Sequence, residues 1–204
     1  MRILLSLLCC SLFLVLASCA AKDTGRDESS AKTVVEAVSC VAVLPTMAAL
    51  DGDPAGSPQP AASLTEGTGH VDKVLAQELG GNSKFRLLKS TSSLLSTGST
   101  EDLQQIAKES GCDAVMLTSL YRFRQRQGGE MAADAPASAS LKIRIVKADK
   151  GNVIWSSEFN ETQESLLSNV LSFGKAQSRG FKWVTVEELV EQGVRAQLAK
   201  CPYR

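Results

Sequence analysis

Few side chains in this 204-residue chain are equipped for chemistry: one histidine, His70, and six cysteines at positions 9, 10, 19, 40, 112 and 201. A single histidine argues against a zinc centre, which normally combines several His or Cys ligands. His70 falls four residues after Glu66, one helical turn, and reads as half of a solvated i,i+4 pair. Gly67-Thr68-Gly69 follows no strand and lacks both a third glycine and a Gly-Lys-Ser/Thr ending. Helix-end packing accounts for it better than a phosphate loop. Neither a Gly-x-Ser-x-Gly elbow nor a His-Glu-x-x-His pair occurs. The expectation is a protein that is not an enzyme and holds no metal or cofactor.

The cysteines take their meaning from the compartment. Arg2 precedes an apolar stretch from Ile3 to Leu16, whose length of roughly 21 Å as a helix is short of the ~30 Å hydrocarbon core. That is the form of a signal peptide's apolar region rather than of a membrane span. It closes on Leu16-Ala17-Ser18-Cys19, which resembles a bacterial lipobox. The resemblance implies cleavage before Cys19, a diacylglycerol thioether on its sulfur and acylation of the new amino terminus. Several acyl chains, at about 0.8 kcal/mol per buried methylene, anchor a domain durably. The alternative is ordinary secretion, with cleavage after Ala17, Ala20 or Ala21. Ala20, rather than Asp, after the cysteine implies export to the outer membrane under the enteric sorting rule.

Cleavage would remove Cys9 and Cys10, leaving Cys40, Cys112 and Cys201 beside the lipidated Cys19. In an oxidising periplasm two of these three can pair. Cys40 precedes the first apolar strand and Cys201 follows the last helix, so a Cys40–Cys201 bond tying the chain ends together is favoured, with three free thiols as the alternative. Cys112, at the start of a buried-looking strand, reads as a small core residue.

Tyr121-Arg122-Phe123-Arg124-Gln125-Arg126 interleaves aromatic and basic residues, as nucleic-acid binders do. However, 22 Lys+Arg are balanced by 22 Asp+Glu, for zero net charge, which opposes that function. The alternation places Tyr121 and Phe123 on one face and Arg122, Arg124 and Arg126 on the other. The plain reading is an outward basic strand face; the sharper one is contact with an acidic surface on a protein or glycan partner.

These residues need elements to hold them. Residues 1–18 form the signal peptide and 19–32 a lipidated, flexible tether that is small, polar and charged. Residues 33–162 form one α/β domain, and 163–204 a helical C-terminal extension. Val38 to Leu44 reads as a buried strand stopped by Pro45. Residues 46–62, with Pro54, Pro58 and Pro60, form a long loop of the kind that carries function. Ser63 to Glu66 has capping-box form. It precedes a helix with Val71, Val74, Leu75 and Leu79 inward, ended by Gly80-Gly81. A strand at Phe85–Leu88, a helix from Thr100 to Ser110, and a strand from Ala114 to Gln125 follow. Gly128 to Pro136 is a loop. A strand carrying Leu141, Ile143 and Ile145 then pairs through a turn at Asp149–Asn152, with Gly151 left-handed, to a strand from Val153 to Glu161. Thr185 and Glu188 form another capping box before an apolar stripe of Val186, Leu189, Val190 and Val194.

The fold class is therefore α/β (α+β), a two- or three-layer mixed β-sheet with helices. Its order is β-α-β-α-β-β-β plus C-terminal helices, and right-handed crossovers are expected to put both bridging helices on one face.

Three segments carry a family resemblance: Val41-Ala42-Val43-Leu44-Pro45, Glu109-Ser110-Gly111-Cys112-Asp113-Ala114-Val115, and Lys150-Gly151-Asn152-Val153-Ile154-Trp155. Their order and spacing over residues 38–161 are similar to those of bacterial envelope proteins that include the TolB amino-terminal domain, the curli-secretion lipoprotein and the lipoprotein activator of penicillin-binding proteins. The chain departs from that pattern at Thr46, where Phe is typical, and at Cys112, where Ala is typical. The resemblance implies a non-enzymatic domain that docks to envelope machinery for secretion, transport or peptidoglycan synthesis, from an outer-membrane, periplasm-facing anchor. A subunit of an oligomeric outer-membrane secretion assembly is the alternative, with a small-ligand-binding or hydrolytic enzyme as a third, less favoured reading. Residues 125–139 lack the lipid-facing alternation of a membrane hairpin. Candidate partner contacts are Arg122, Arg124, Arg126, Phe181 and Trp183, the last two also candidates for anchoring the tail.

Overall fold

A computed structural model of the chain describes residues 36–49, 61–89, 99–129, 133–163 and 183–204. Cys19 and Phe181 lie outside the described residues. The elements run β1 (Val41–Val43), β2 (Met47–Ala48), α1 (Ala61–Leu79), β3 (Phe85–Leu87), α2 (Thr100–Ser110), β4 (Ala114–Arg124), β5 (Gln127–Gly128), β6 (Ala133–Ala135), β7 (Ser138–Lys147), β8 (Val153–Thr162) and α3 (Val186–Leu198). The mixed α/β class and the order read from the sequence hold, with three short strands added.

The main sheet is ordered β3-β1-β4-β7-β8, with β2 pairing onto β4. β1 is parallel to β3 and β4, while β4–β7 and β7–β8 are antiparallel. From β1 the chain passes through α1 to β3 on one side, then through α2 back past β1 to β4. Because the second crossover runs in the opposite direction, the same right-handedness turns α2 onto the other face. The two bridging helices therefore lie on opposite faces, correcting the one-face expectation and making this part of the molecule three-layered.

The two faces have separate cores. On one, Val41, Val43, Met116, Leu120, Leu141, Ile143, Ile145 and Phe159 of the sheet meet Val71, Leu75 and Leu79 of α1 and Val186, Leu189, Val190 and Val194 of α3. Burial of each such side chain contributes about 1.5–3 kcal/mol. On the other, Ala42, Leu44, Val115, Leu117 and Val146 meet Leu103, Ile106 and Ala107 of α2. The α3 stripe read from the sequence thus lies in the main core, with Val184, Cys201 and Tyr203 beside it.

Helix ends follow local chemistry. Thr185 and Glu188 form the expected reciprocal box, with Thr185 Oγ1 accepting from the Glu188 N–H at 3.3 Å and Glu188 Oε2 from the Thr185 N–H at 3.0 Å. A second box, Ser99 with Asp102, opens α2. Ser63 and Glu66 instead lie inside α1, whose turns begin at Ala61, since alanines propagate a helix well. Gly151 has φ +67°, as the hairpin turn requires.

Candidate partner-binding site

The two ends of β4 bring together most of the residues singled out above. At its start, Cys40 at the threshold of β1 is bonded to Cys112, with a Cα–Cα separation of 4.6 Å. Cys201 is free and buried. This corrects the Cys40–Cys201 pairing. The parallel register sets Val41 beside Ala114, so the residues just before the two strands must also meet, whereas Cys201 packs beneath the α1–α3 face. Burial pushes the Cys201 thiol up, away from the reactive thiolate form.

Asp113 completes this corner. Its Oδ1 accepts from the Ser39 and Cys40 N–H groups at 3.1 and 3.0 Å, and its Oδ2 from Lys147 Nζ at 2.8 Å. Burial alone would raise the Asp113 carboxyl, but the hydrogen bonds from Lys147, Cys40 and Ser39 outweigh it and hold the group well below the usual carboxylate range. Lys147 also donates to the Ala37 carbonyl at 3.0 Å, and Lys150 pairs with Glu36 at 2.9 Å. Residues 36–40 are thereby held to the β7–β8 hairpin turn and to the start of β4.

The far end of β4 is built differently. Its register against β7 shifts between Leu120 and Arg122, a bulge that takes Tyr121 out of the ladder. Beyond it, Phe123 points into the main core, as expected. Arg122 does not face solvent: it is 2% exposed, and its Nη2 donates to Asn160 Oδ1 on β8 and to the Ala139 carbonyl. The register sets it opposite Ser140, itself opposite Asn160, and these small neighbours leave room for the guanidinium to lie flat across β7. The outward basic face is thus corrected at Arg122, while Arg124 and Arg126 remain half-buried.

These three arginines line a recess of about 590 Å³ together with Phe123, Gln127 and Ser138. Gln125 stands at its rim, donating to the Glu187 carboxylate at 2.9 Å and accepting from the Val186 N–H at 3.1 Å, which ties the recess to the first turn of α3. Burial would raise the Glu187 carboxyl, but the Gln125 hydrogen bond and its other donors lower it. His70 joins the same contact: its Nε2 donates to the Glu187 carbonyl at 3.2 Å and its ring lies 6.4 Å from that of Phe123. It is a bridge from α1 to α3 and not the solvated partner of Glu66 read from the sequence. Gly67, one turn earlier, is the close-approach point of α1 on β4. A Cβ there would stand 2.6 Å from Phe123 Cγ, so Gly67 is a packing residue, in the helix middle rather than at its end.

Trp183 is half-buried, and the residue after it does the anchoring: Val184 is 2% exposed and donates its N–H to Gln163 Oε1 at 2.9 Å. Among the described residues no helix is long and apolar enough to cross a membrane, and no group of three His, Cys, Asp or Glu could hold a metal ion. The arrangement offers guanidinium groups around a recess, which suits recognition of carboxylates or phosphates.

No protein-family model and no curated protein matches the chain. Several solved structures do. The hypothetical protein CT253 from Chlamydia trachomatis is 15% identical, the match covering 80% of this chain and 95% of that one at a TM-score of 0.46. The PelC dodecamer from Paraburkholderia phytofirmans is 13% identical over 79% and 85% of the two chains, at 0.45. The C-terminal domain of LpoB from Escherichia coli is 20% identical over 62% and 84%, at 0.36. The penicillin-binding-protein activator to which the strand motifs are similar is thus among the structural neighbours, as are PelC and a Neisseria meningitidis lipoprotein.

Proposed function

We propose that the protein is a lipid-anchored, periplasm-facing lipoprotein of the outer membrane, and that it acts without catalysis as a protein-binding or assembly factor for cell-envelope machinery. The supporting observation is the polarity of β4. Its first residue lies beside the fastened segment 36–40, into which the N-terminal tether would lead. Its eleven residues, at about 3.3 Å each, carry the arginine recess roughly 33 Å away. A domain attached to a membrane at one corner and presenting a charged recess at the opposite end is suited to reach a protein in the periplasm. Cys19 would carry the lipid, and the proline-containing 46–62 segment and Trp183 would supply further contacts.

The test has two arms. Replacing Cys19 with alanine is expected to abolish palmitate labelling and release the protein from membranes; unchanged labelling would refute the anchor. A photo-crosslinker at Gln127 is expected to capture an envelope protein in intact cells, whereas one at Lys150 is expected to capture none; equal yields would refute the polarity. Sizing of detergent-extracted protein is expected to give a monomer, and a closed ring would favour the oligomeric assembly instead.

A further inference from the structure

The recess at the far end of β4 has three properties that together narrow its occupant. It concentrates positive charge: Arg122, Arg124 and Arg126 all line it, and among the described residues no carboxylate does. The nearby Glu187 is outside the lining and is engaged by Gln125; Asp134, next to the lining residue Ala135, is exposed. In a walled recess such charge focuses its field on the space it encloses. It also contains an unused donor: Arg126 Nη1 is enclosed and has no hydrogen-bond partner among the described residues, an arrangement that costs free energy until an acceptor arrives. Finally, it is larger than a lone anion needs, at about 590 Å³, and its wall is mixed. Ala135 and Pro136 supply apolar surface, and Gln127, Ser138 and Thr162 can donate and accept.

We propose that this recess binds an acidic peptide segment of a partner protein, with a carboxylate side chain seated against Arg126, Arg124 adding positive charge beside it, and the neighbouring main chain lying along Gln127 and Ser138. This rests on the protein-binding reading above and specifies its chemistry. Arg122 has a different part. Held across β7 to Asn160, it supplies fixed positive charge from the floor while tying β8 to the recess. Guanidinium groups match carboxylates in a bidentate fork, and amide and hydroxyl groups beside them suit a peptide backbone better than a bare phosphate.

The test is calorimetric titration of the full-length lipidated protein in detergent with three probes: a blocked heptapeptide carrying three glutamates, its glutamine counterpart, and inorganic phosphate. The glutamate peptide is expected to bind at least about tenfold more tightly than the glutamine peptide, equivalent to about 1.4 kcal/mol, and to weaken as ionic strength rises. The Arg124→Gln/Arg126→Gln variant, with Arg122 untouched, is expected to lose that preference while retaining its Tm. Should the double variant not fold, Arg126→Gln alone is expected to weaken glutamate-peptide binding severalfold. Equal binding of both peptides, or unchanged binding by a folded variant, overturns the assignment, as does binding of phosphate alone. Crosslinking separates this from the broader reading. A double variant that captures the same envelope protein as the wild type sinks the recess but not protein binding, whereas a wild type that captures nothing sinks protein binding itself.

Discussion

The two ends of β4 solve opposite problems. At the start, a disulfide, a buried-edge ion pair and two backbone N–H donors converge on residues 112–113, and nearly every polar group is matched. At the other, a bulge breaks the ladder, Arg122 is drawn across β7, and Arg126 keeps an enclosed nitrogen unmatched among the described residues. Saturated interactions make the first end a fixture. Unsaturated ones leave the second with free energy to gain from a partner. The lesson is that the two ends of a single strand can differ sharply in how completely their polar groups are satisfied.

Breaking the fixture is expected to have the largest effect. The disulfide closes a separation of 72 residues, for which the chain-entropy relation gives about 4 kcal/mol. Replacing Cys40 and Cys112 together with alanine is expected to lower unfolding free energy by roughly that amount in denaturant titrations. Removing Cys201 in place of Cys112 would leave the bond intact, so a loss of the Cys40 bond only in the Cys201 variant would contradict the pairing.

The next effect lies at the recess end. Gly67→Ala would force a methyl group into the Phe123 ring, and overpacking of this kind costs about 1–3 kcal/mol. Thermal unfolding should show a lower Tm, and an unchanged Tm would mean that α1 can lift away from β4.

Asp113 sharpens the comparison through pH. Its folded pKa lies below the unfolded value of about 3.9. Its contribution to stability is therefore complete above about pH 4 and is lost as pH falls through the folded value. Asp113→Asn is expected to be less stable than wild type at neutral pH, with the gap closing below about pH 4; a gap independent of pH would refute the ionic role. The smallest effect is expected for Arg126→Gln, which should change stability by less than about 0.5 kcal/mol, because its enclosed Nη1 makes no hydrogen bond among the described residues for the substitution to remove.

Signals for some of what the structure added were already present in the residues. Cys112 stands where the resembled family carries alanine, a departure that marks it as the partner of Cys40. Ser140 on β7, opposite Arg122, is the small residue that admits it. The bulge after Leu120 has no glycine or proline to announce it. The short strands β2, β5 and β6 are two or three residues long, too short for alternation to register.

By itself the sequence determined the α/β class, the order of the main elements, the helix stripes of α1 and α3, and the Thr185 cap. All of these rest on periodicity and capping chemistry within a few residues of chain. Only the tertiary structure decided which face each helix covers, which cysteines pair, that His70 reaches Glu187, and that Arg122 is buried while Arg126 is left with an unmatched nitrogen. Each depends on strand order and register, which bring together residues from 17 to more than 100 positions apart; no local pattern encodes those distances.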